Sequence, residues 1–172
     1  MTTVAAVTIP ATANFNATDV GFAQGMIPHH AQAVEMAEMG IAKSTNADVL
    51  ALAKQIKSAQ NPEIETMTGW LQTWGQAVPS TASMAGGGHD MTNMSGMMSG
   101  ADMKRLESST GTAFDRLWLE LMIQHHEGAV RMAKDELADG KNSDAKALAQ
   151  AIITGQQAEI TKMNALLAAL PR

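Results

Sequence analysis

The sequence predicts an all-α fold, an antiparallel four-helix bundle assembled from two copies of one helical hairpin. Three observations carry that reading: a gapless internal repeat, apolar residues at helical spacing within each copy, and a composition that favours helix over strand. Adding 96 to a residue number maps Asp19–Leu71 onto Asp115–Leu167, with 21 identities in 53 positions. Ala, Leu, Gln, Glu and Met are plentiful, Tyr is absent and aromatic residues make up only 3% of the chain, all of which disfavours strands. Residues 1–172 read as a single domain, long enough for one core and too short for two.

Taken in order, helices are expected at about 17–43, 47–75, 111–139 and 143–169. In the first hairpin, spanning 17–75, Phe22, Met26, Ala33 and Ala37 make one apolar stripe, and Leu52, Ile56, Ile64, Met67 and Leu71 make the facing one. Ser44-Thr45-Asn46 ahead of Asp48 ends the first helix and caps the second. Gly140-Lys141-Asn142-Ser143 ahead of Asp144 does the same in the second hairpin, spanning 110–170. Pro28 and Pro62 fall inside helical patterns, where each removes a backbone donor and should kink its helix. Gln124 and Ala158 replace them in the second copy, so the shared architecture does not require the kinks. Between the hairpins, 76–109 reads as a Met-, Gly- and Ser-rich loop longer than a bundle needs, and such loops are functional or disordered.

Bulk properties exclude several partners. A formal charge of −5, from 12 basic and 17 acidic residues, leaves no basic field for nucleic acid. No apolar run approaches the roughly 20 residues that span a bilayer. Val4–Ala13 is apolar and ends in Ala11-Thr12-Ala13, but no Lys or Arg precedes it and Pro10 interrupts it, so it reads as the remnant of a signal peptide. The chain has no Cys and 14 Met. In an oxidising compartment thioethers are useful soft ligands because they cannot form disulfides, which points to a periplasmic or secreted protein.

The chemistry-bearing residues lie in the repeat. Met26-Ile27-Pro28-His29-His30 returns as Met122-Ile123-Gln124-His125-His126, Met36 as Met132, and Gln60, Glu63, Ile64 and Met67 as Gln156, Glu159, Ile160 and Met163. At 100° per residue Met26 and His30 share the stripe of Phe22, with His29 and Met36 on its flank. Reflecting the hairpin about Thr45 brings Gln60 and Glu63 level with His30 and Met26. Each hairpin thus gathers two thioethers, one or two imidazoles and a carboxylate on its inner side. Soft sulfur selects Cu(I), with Ag(I) as its surrogate, while imidazole accepts Cu(I), Cu(II) or Zn(II); the carboxylates are either ligands or partners that fix a histidine tautomer. For one isolated Met or His, core filling or a satisfied hydrogen bond is the better explanation, but the whole set is duplicated. Asp19 and Asp115 recur as well, in first helical turns where an acid complements the helix dipole.

The loop adds Met84, His89, Met91, Met94, Met97 and Met98, with Met103 just beyond. In a mobile polar segment a Met gains little from burial, so these thioethers read as Cu(I) ligands; a drifted low-complexity linker is the alternative. Because a thioether does not titrate and free imidazole has a pKa of about 6.5, a Met-carried site should keep Cu(I) and Ag(I) at about pH 5 while a His-only site releases its ion.

The paired Met-Ile-x-His-His segments and the downstream Gln…Glu-Ile…Met resemble the domain of unknown function numbered three hundred and five, a family that includes CopM-like copper-binding proteins. The resemblance runs from about Asp19 to Leu167. It implies a ferritin-like four-helix bundle, usually secreted or periplasmic, associated with copper and silver binding and resistance, and points to Met26, His29, His30, Met36, Glu63 and Met67 with their second-copy equivalents.

The expected function is therefore binding of copper, Cu(I) first and Cu(II) second, for sequestration, transfer or resistance, with copper-transport or efflux proteins as exchange partners. No nucleophile–base pair, phosphate loop or cofactor motif argues for an enzyme. A structural or interaction bundle is the main rival; a haem bundle is another. A di-iron centre would need inward carboxylates with Glu-x-x-His spacing, which no His here has.

Overall fold

The computed structural model describes residues 9–80 and 95–171. Among these residues there are five helices, α1 Ala17–Lys43, α2 Ala47–Thr73, α3 Gly100–Ser108, α4 Gly111–Asp139 and α5 Ser143–Ala169, and no strand. The four long helices form the bundle. α1 packs on α2, α4 on α5, and the two pairs meet mainly through α1 and α4.

Local chemistry sets the ends. Asn16 caps α1 by accepting from the Thr18 and Asp19 amides, and Asp19 accepts from the Asn16 amide to close a capping box. Asn46 and Asn142 cap α2 and α5 in the same manner, each accepting from two amides. The three-residue link 44–46 forces α1 and α2 antiparallel. α1 and α4 are antiparallel too: Asn16 Nδ2 donates to the Asp139 carbonyl at one end, and Trp118 Nε1 donates to the Met36 carbonyl at 2.7 Å near the other. Both α1 and α2 run unbroken through Pro28 and Pro62.

The connection between hairpins departs from the expected loop. Gly100–Ser108 is helical because Ser99 and Asp102 form a capping box, and Leu106 buries fully against the bundle. Lys43 Nζ donates to the Leu106 and Glu107 carbonyls at the end of α3 and lies over the Phe114 ring. The amphipathic run Met103…Leu106 is too short for periodicity to reveal in the sequence.

At the opposite end, Asp19 also accepts from the Lys141 and Asn142 amides and so ties the start of α1 to the α4–α5 turn. Its neighbour Glu136 is fully buried. Burial first, then the neighbouring Asp19 and its charge, push the Glu136 carboxyl up to about 8, so it is mostly protonated at neutral pH.

Candidate metal centre

Four buried imidazoles lie where α1 crosses α4. His29 and His30 project from α1, His125 and His126 from α4, and none is more than 1% exposed. The rings of His29 and His125, equivalent in the repeat, lie against each other with centroids 3.8 Å apart and planes tilted by 38°.

The outer helices supply carboxylates. His30 Nε2 lies 2.5 Å from Glu63 Oε2 on α2, and His126 Nε2 lies 2.7 Å from Glu159 Oε2 on α5. A carboxylate accepts, so each Nε2 carries a hydrogen, and Nδ1 of both rings has no partner. This is the arrangement in which a carboxylate fixes the tautomer of a ligating histidine. The helical register about Thr45 expects Gln60 level with His30 and Glu63 level with Met26; the structure instead pairs Glu63 with His30, about one helical turn further along α1.

The central pair, His29 and His125, differs from the flanking pair, His30 and His126. His29 Nε2 donates to the Ser95 carbonyl at 3.0 Å, while neither ring nitrogen of His125 has a partner. Burial, with the nearby His30, His126 and Arg131 adding to it and the Ser95 bond opposing it, pushes His29 down to about 3. Burial, then His29, His126 and His30, hold His125 well below the ordinary range. Both rings are neutral at physiological pH, the form that binds metals. Contrary to the expected behaviour at pH 5, His29 keeps its lone pair at that pH in the folded protein and His125 is shifted in the same direction, so ion retention there does not separate thioether from imidazole ligation.

The thioethers divide between two apolar clusters. Met26 and Met67 pack together with Phe22, Ile27 and Leu71. Met122 and Met163 pack in the other cluster, joined by Met36 and Met98. Met132 rests half-buried against the first cluster. The antiparallel crossing therefore sends Met36 of the first copy to the second copy's cluster and Met132 the other way, a swap invisible along either hairpin alone. Met26, Met36, Met67, Met122 and Met163 are fully buried, so they fill the core as well as offering sulfur.

In the segment between hairpins, Met98 is 6% exposed and Met97 and Met103 are half-buried, Met103 packing on the core. The expectation that burial could not explain these Met residues fails for Met98 and Met103, because α3 and the turn before it dock. Met84, His89, Met91 and Met94 lie outside the described residues, as does the first half of the apolar Val4–Ala13 run.

Among the described residues, no three His, Cys, Asp or Glu side chains converge to hold an ion. An ion among them must take thioether donors or draw the imidazoles together. The orphaned nitrogens, Nδ1 of His29, His30 and His126 and both of His125, are the donors that soft and borderline metals accept.

Several residues of the site carried no recognisable signal. Gln32 and Gly128, one position pair in the repeat, both contact the segment Ser95–Ser99 and differ from each other for that reason. Gln60 is buried with its amide unpartnered, and Gln55 Nε2 donates to Glu159 Oε1 at 3.2 Å.

The sequence matches the family described as Domain of unknown function (DUF305) over residues 19–167. A Streptomyces coelicolor DUF305 protein designated as secreted is 34% identical, covering 88% of this chain and 91% of its own, with a TM-score of 0.78. A DUF305 fragment from Deinococcus radiodurans is 31% identical over 90% of this chain and 98% of its own, with a TM-score of 0.79. CopM in its Cu(I)-bound form is 30% identical over 90% of this chain and 98% of its own, with a TM-score of 0.72; CopM is also known in Cu(II)-bound and Ag-bound forms. No curated protein matches the sequence. With the family match covering most of the chain and its bundle shared by these structures, the protein belongs to the DUF305 family.

Proposed function

We propose that the protein binds soft metal ions, Cu(I) foremost with Ag(I) as its surrogate and Cu(II) as a second cargo, through the Met and His residues of the α1–α4 crossing. The observation that carries this reading is the set of buried imidazole nitrogens with no partner at His29, His30, His125 and His126, bordered by buried thioethers. A buried polar atom left unpaired costs about 1–3 kcal/mol, so five in one place are a strain that ligation would relieve. Copper and silver complexes of CopM support the same reading by kinship.

The role that follows is a binding protein, not an enzyme, acting outside the cytoplasm in sequestration, transfer or resistance, and exchanging ions with copper-transport or efflux proteins. The absence of Cys beside 14 Met supports the location, as does the secreted designation of the Streptomyces relative. No described helix is long and apolar enough to cross a membrane.

Complete burial of Met26, Met36, Met67, Met122 and Met163 favours the rival reading, a bundle in which these residues only pack. Anaerobic titration with Cu(I) against a competing chelator decides between them. We expect at least one ion per chain, lost or weakened at least about tenfold when His29, His30, His125 and His126 are all changed to Ala. Chelator retaining all the Cu(I) would leave only the packing role.

A further inference from the structure

The start of α1 is fastened to the α4–α5 turn by hydrogen bonds that converge on one carboxylate. Asp19, fully buried, accepts from the Lys141 amide at 3.0 Å and the Asn142 amide at 2.9 Å of the turn, and from the Asn16 amide of its own capping box. Around it, Asn16 Nδ2 donates to the Asp139 carbonyl, Asn142 Nδ2 to the Asn14 carbonyl, and Lys141 Nζ to the Ala11 and Ala13 carbonyls.

A second buried carboxyl lies beneath the same turn. A Cβ added to Gly140 would collide with Glu136 Oε1, so this acid sits against the residue that precedes Lys141. Glu136 is fully buried and neither of its oxygens has a hydrogen-bond partner. The charged groups facing it are Asp19 from α1 and Lys146 from α5, and the Lys146 ammonium is engaged with the Gly140 carbonyl at 3.1 Å. The turn has no donor left for another carboxylate, because the Lys141 and Asn142 amides both go to Asp19. Ionised, Glu136 would be a buried charge without a donor beside a like charge; protonated, it is neutral and tolerated there. The other end of the crossing has no such pair. Gly40 stands where the repeat would put Glu136, and a Cβ there would meet the Trp118 ring instead.

We propose that these groups form a proton-held latch: Ala11–Asp19 stays docked on the α4–α5 turn while Glu136 keeps its proton, and undocks as Glu136 ionises and turns away from Asp19. The latch joins the two helices that carry the four imidazoles, and it does not depend on metal binding. Its direction follows from the proton count. Docked, Glu136 holds its proton up to about pH 8, whereas an exposed carboxyl titrates near 4.5. Between those values undocking releases one proton, so the latch is tightest in acid, weakens by about tenfold per pH unit as the pH rises, and changes little above about pH 8.

Amide hydrogen exchange in the metal-free full chain tests this, read as protection factors so that the intrinsic pH dependence of exchange is removed. In the parent, the Lys141 and Asn142 amides should lose about tenfold in protection per pH unit from about pH 5.5 to about pH 7.5 and level off above about pH 8. Glu136→Gln, neutral at every pH, should hold the parent's acid-pH protection throughout. Gly140→Ala, whose Cβ takes the place of the carboxyl, should lower the protection in acid and flatten the slope. Parent amides equally protected across this range, or either variant keeping the parent's slope, would overturn the latch.

Discussion

The two copies of the repeat share their chemistry-bearing residues and yet give them different surroundings. In the first copy, His29 is tied to Ser95 and its companion His30 leans on Glu63, which is 23% exposed. In the second copy, His125 has no hydrogen-bond partner, and His126 pairs with Glu159, which is 9% exposed and also receives Gln55. The cause is the single segment Ser95–Ser99 that lies across the crossing. Its approach needs a polar clamp on one helix and no side chain on the other, and positions 32 and 128 supply Gln and Gly. Duplication thus provides a matched pair of sites, and divergence at one position makes them unequal.

Acid should expose what the two central rings have in common. In the unfolded chain both imidazoles titrate near 6.5, whereas burial holds His29 at about 3 and His125 well below its ordinary range. Between those values the unfolded state binds more protons than the folded one, so stability is full above about pH 6.5 and falls as the pH drops. At pH 5, His29 alone should cost about 2 kcal/mol, and His125 acts in the same direction. Denaturant midpoints measured from pH 7 to pH 5 check this: the metal-free parent should lose stability steeply, and the double variant His29→Leu, His125→Leu much less.

One substitution should then separate the copies. His125→Leu removes a buried group with no partner and should leave stability unchanged or raise it by about 1 kcal/mol at pH 7. His29→Leu strips the Ser95 carbonyl of its donor and should lower stability by about 1–2 kcal/mol. Thermal or urea unfolding of the two metal-free variants gives the sign, and equal effects would erase the proposed asymmetry.

A smaller difference is expected at the carboxylates. Glu159→Gln changes the more buried of the two pairs and should cost about 1 kcal/mol, while Glu63→Gln, partly screened by solvent, should cost about half as much. Urea midpoints at pH 7 are precise enough to rank them.

These comparisons also mark how far the sequence could be read. The four long helices, their Asn46 and Asn142 caps and the approach of Glu63 to the Met26–His30 segment follow from spacing, turn chemistry and helical register, all of which are local, whereas the pairing of Glu63 with His30, where the register expects Gln60, does not. The crosswise placement of Met36 and Met132, the His29–His125 contact and the role of Gln32 depend on how α1 meets α4, and no pattern within one hairpin encodes that. α3 is not legible because nine residues give too few turns for an apolar stripe, and for the same reason the burial of its Met103 and of Met98 before it is hidden in the sequence. Glu136 gives no signal either: it stands where the first copy has Gly40, and its shift comes from burial in the assembled bundle and from Asp19 arriving on α1.

The central claim is that buried thioethers and imidazoles of this crossing are ligands as well as packing. X-ray absorption at the copper edge of the anaerobically Cu(I)-loaded protein tests it most directly, because sulfur and nitrogen scatterers are distinguishable around the bound ion. With no Cys in the chain, any sulfur seen must be a methionine thioether. The account predicts a mixed shell of thioether sulfur and imidazole nitrogen, with the sulfur contribution reduced when Met26, Met67, Met122 and Met163 are changed to Leu. A shell of nitrogen and oxygen alone, unchanged by those substitutions, would contradict it.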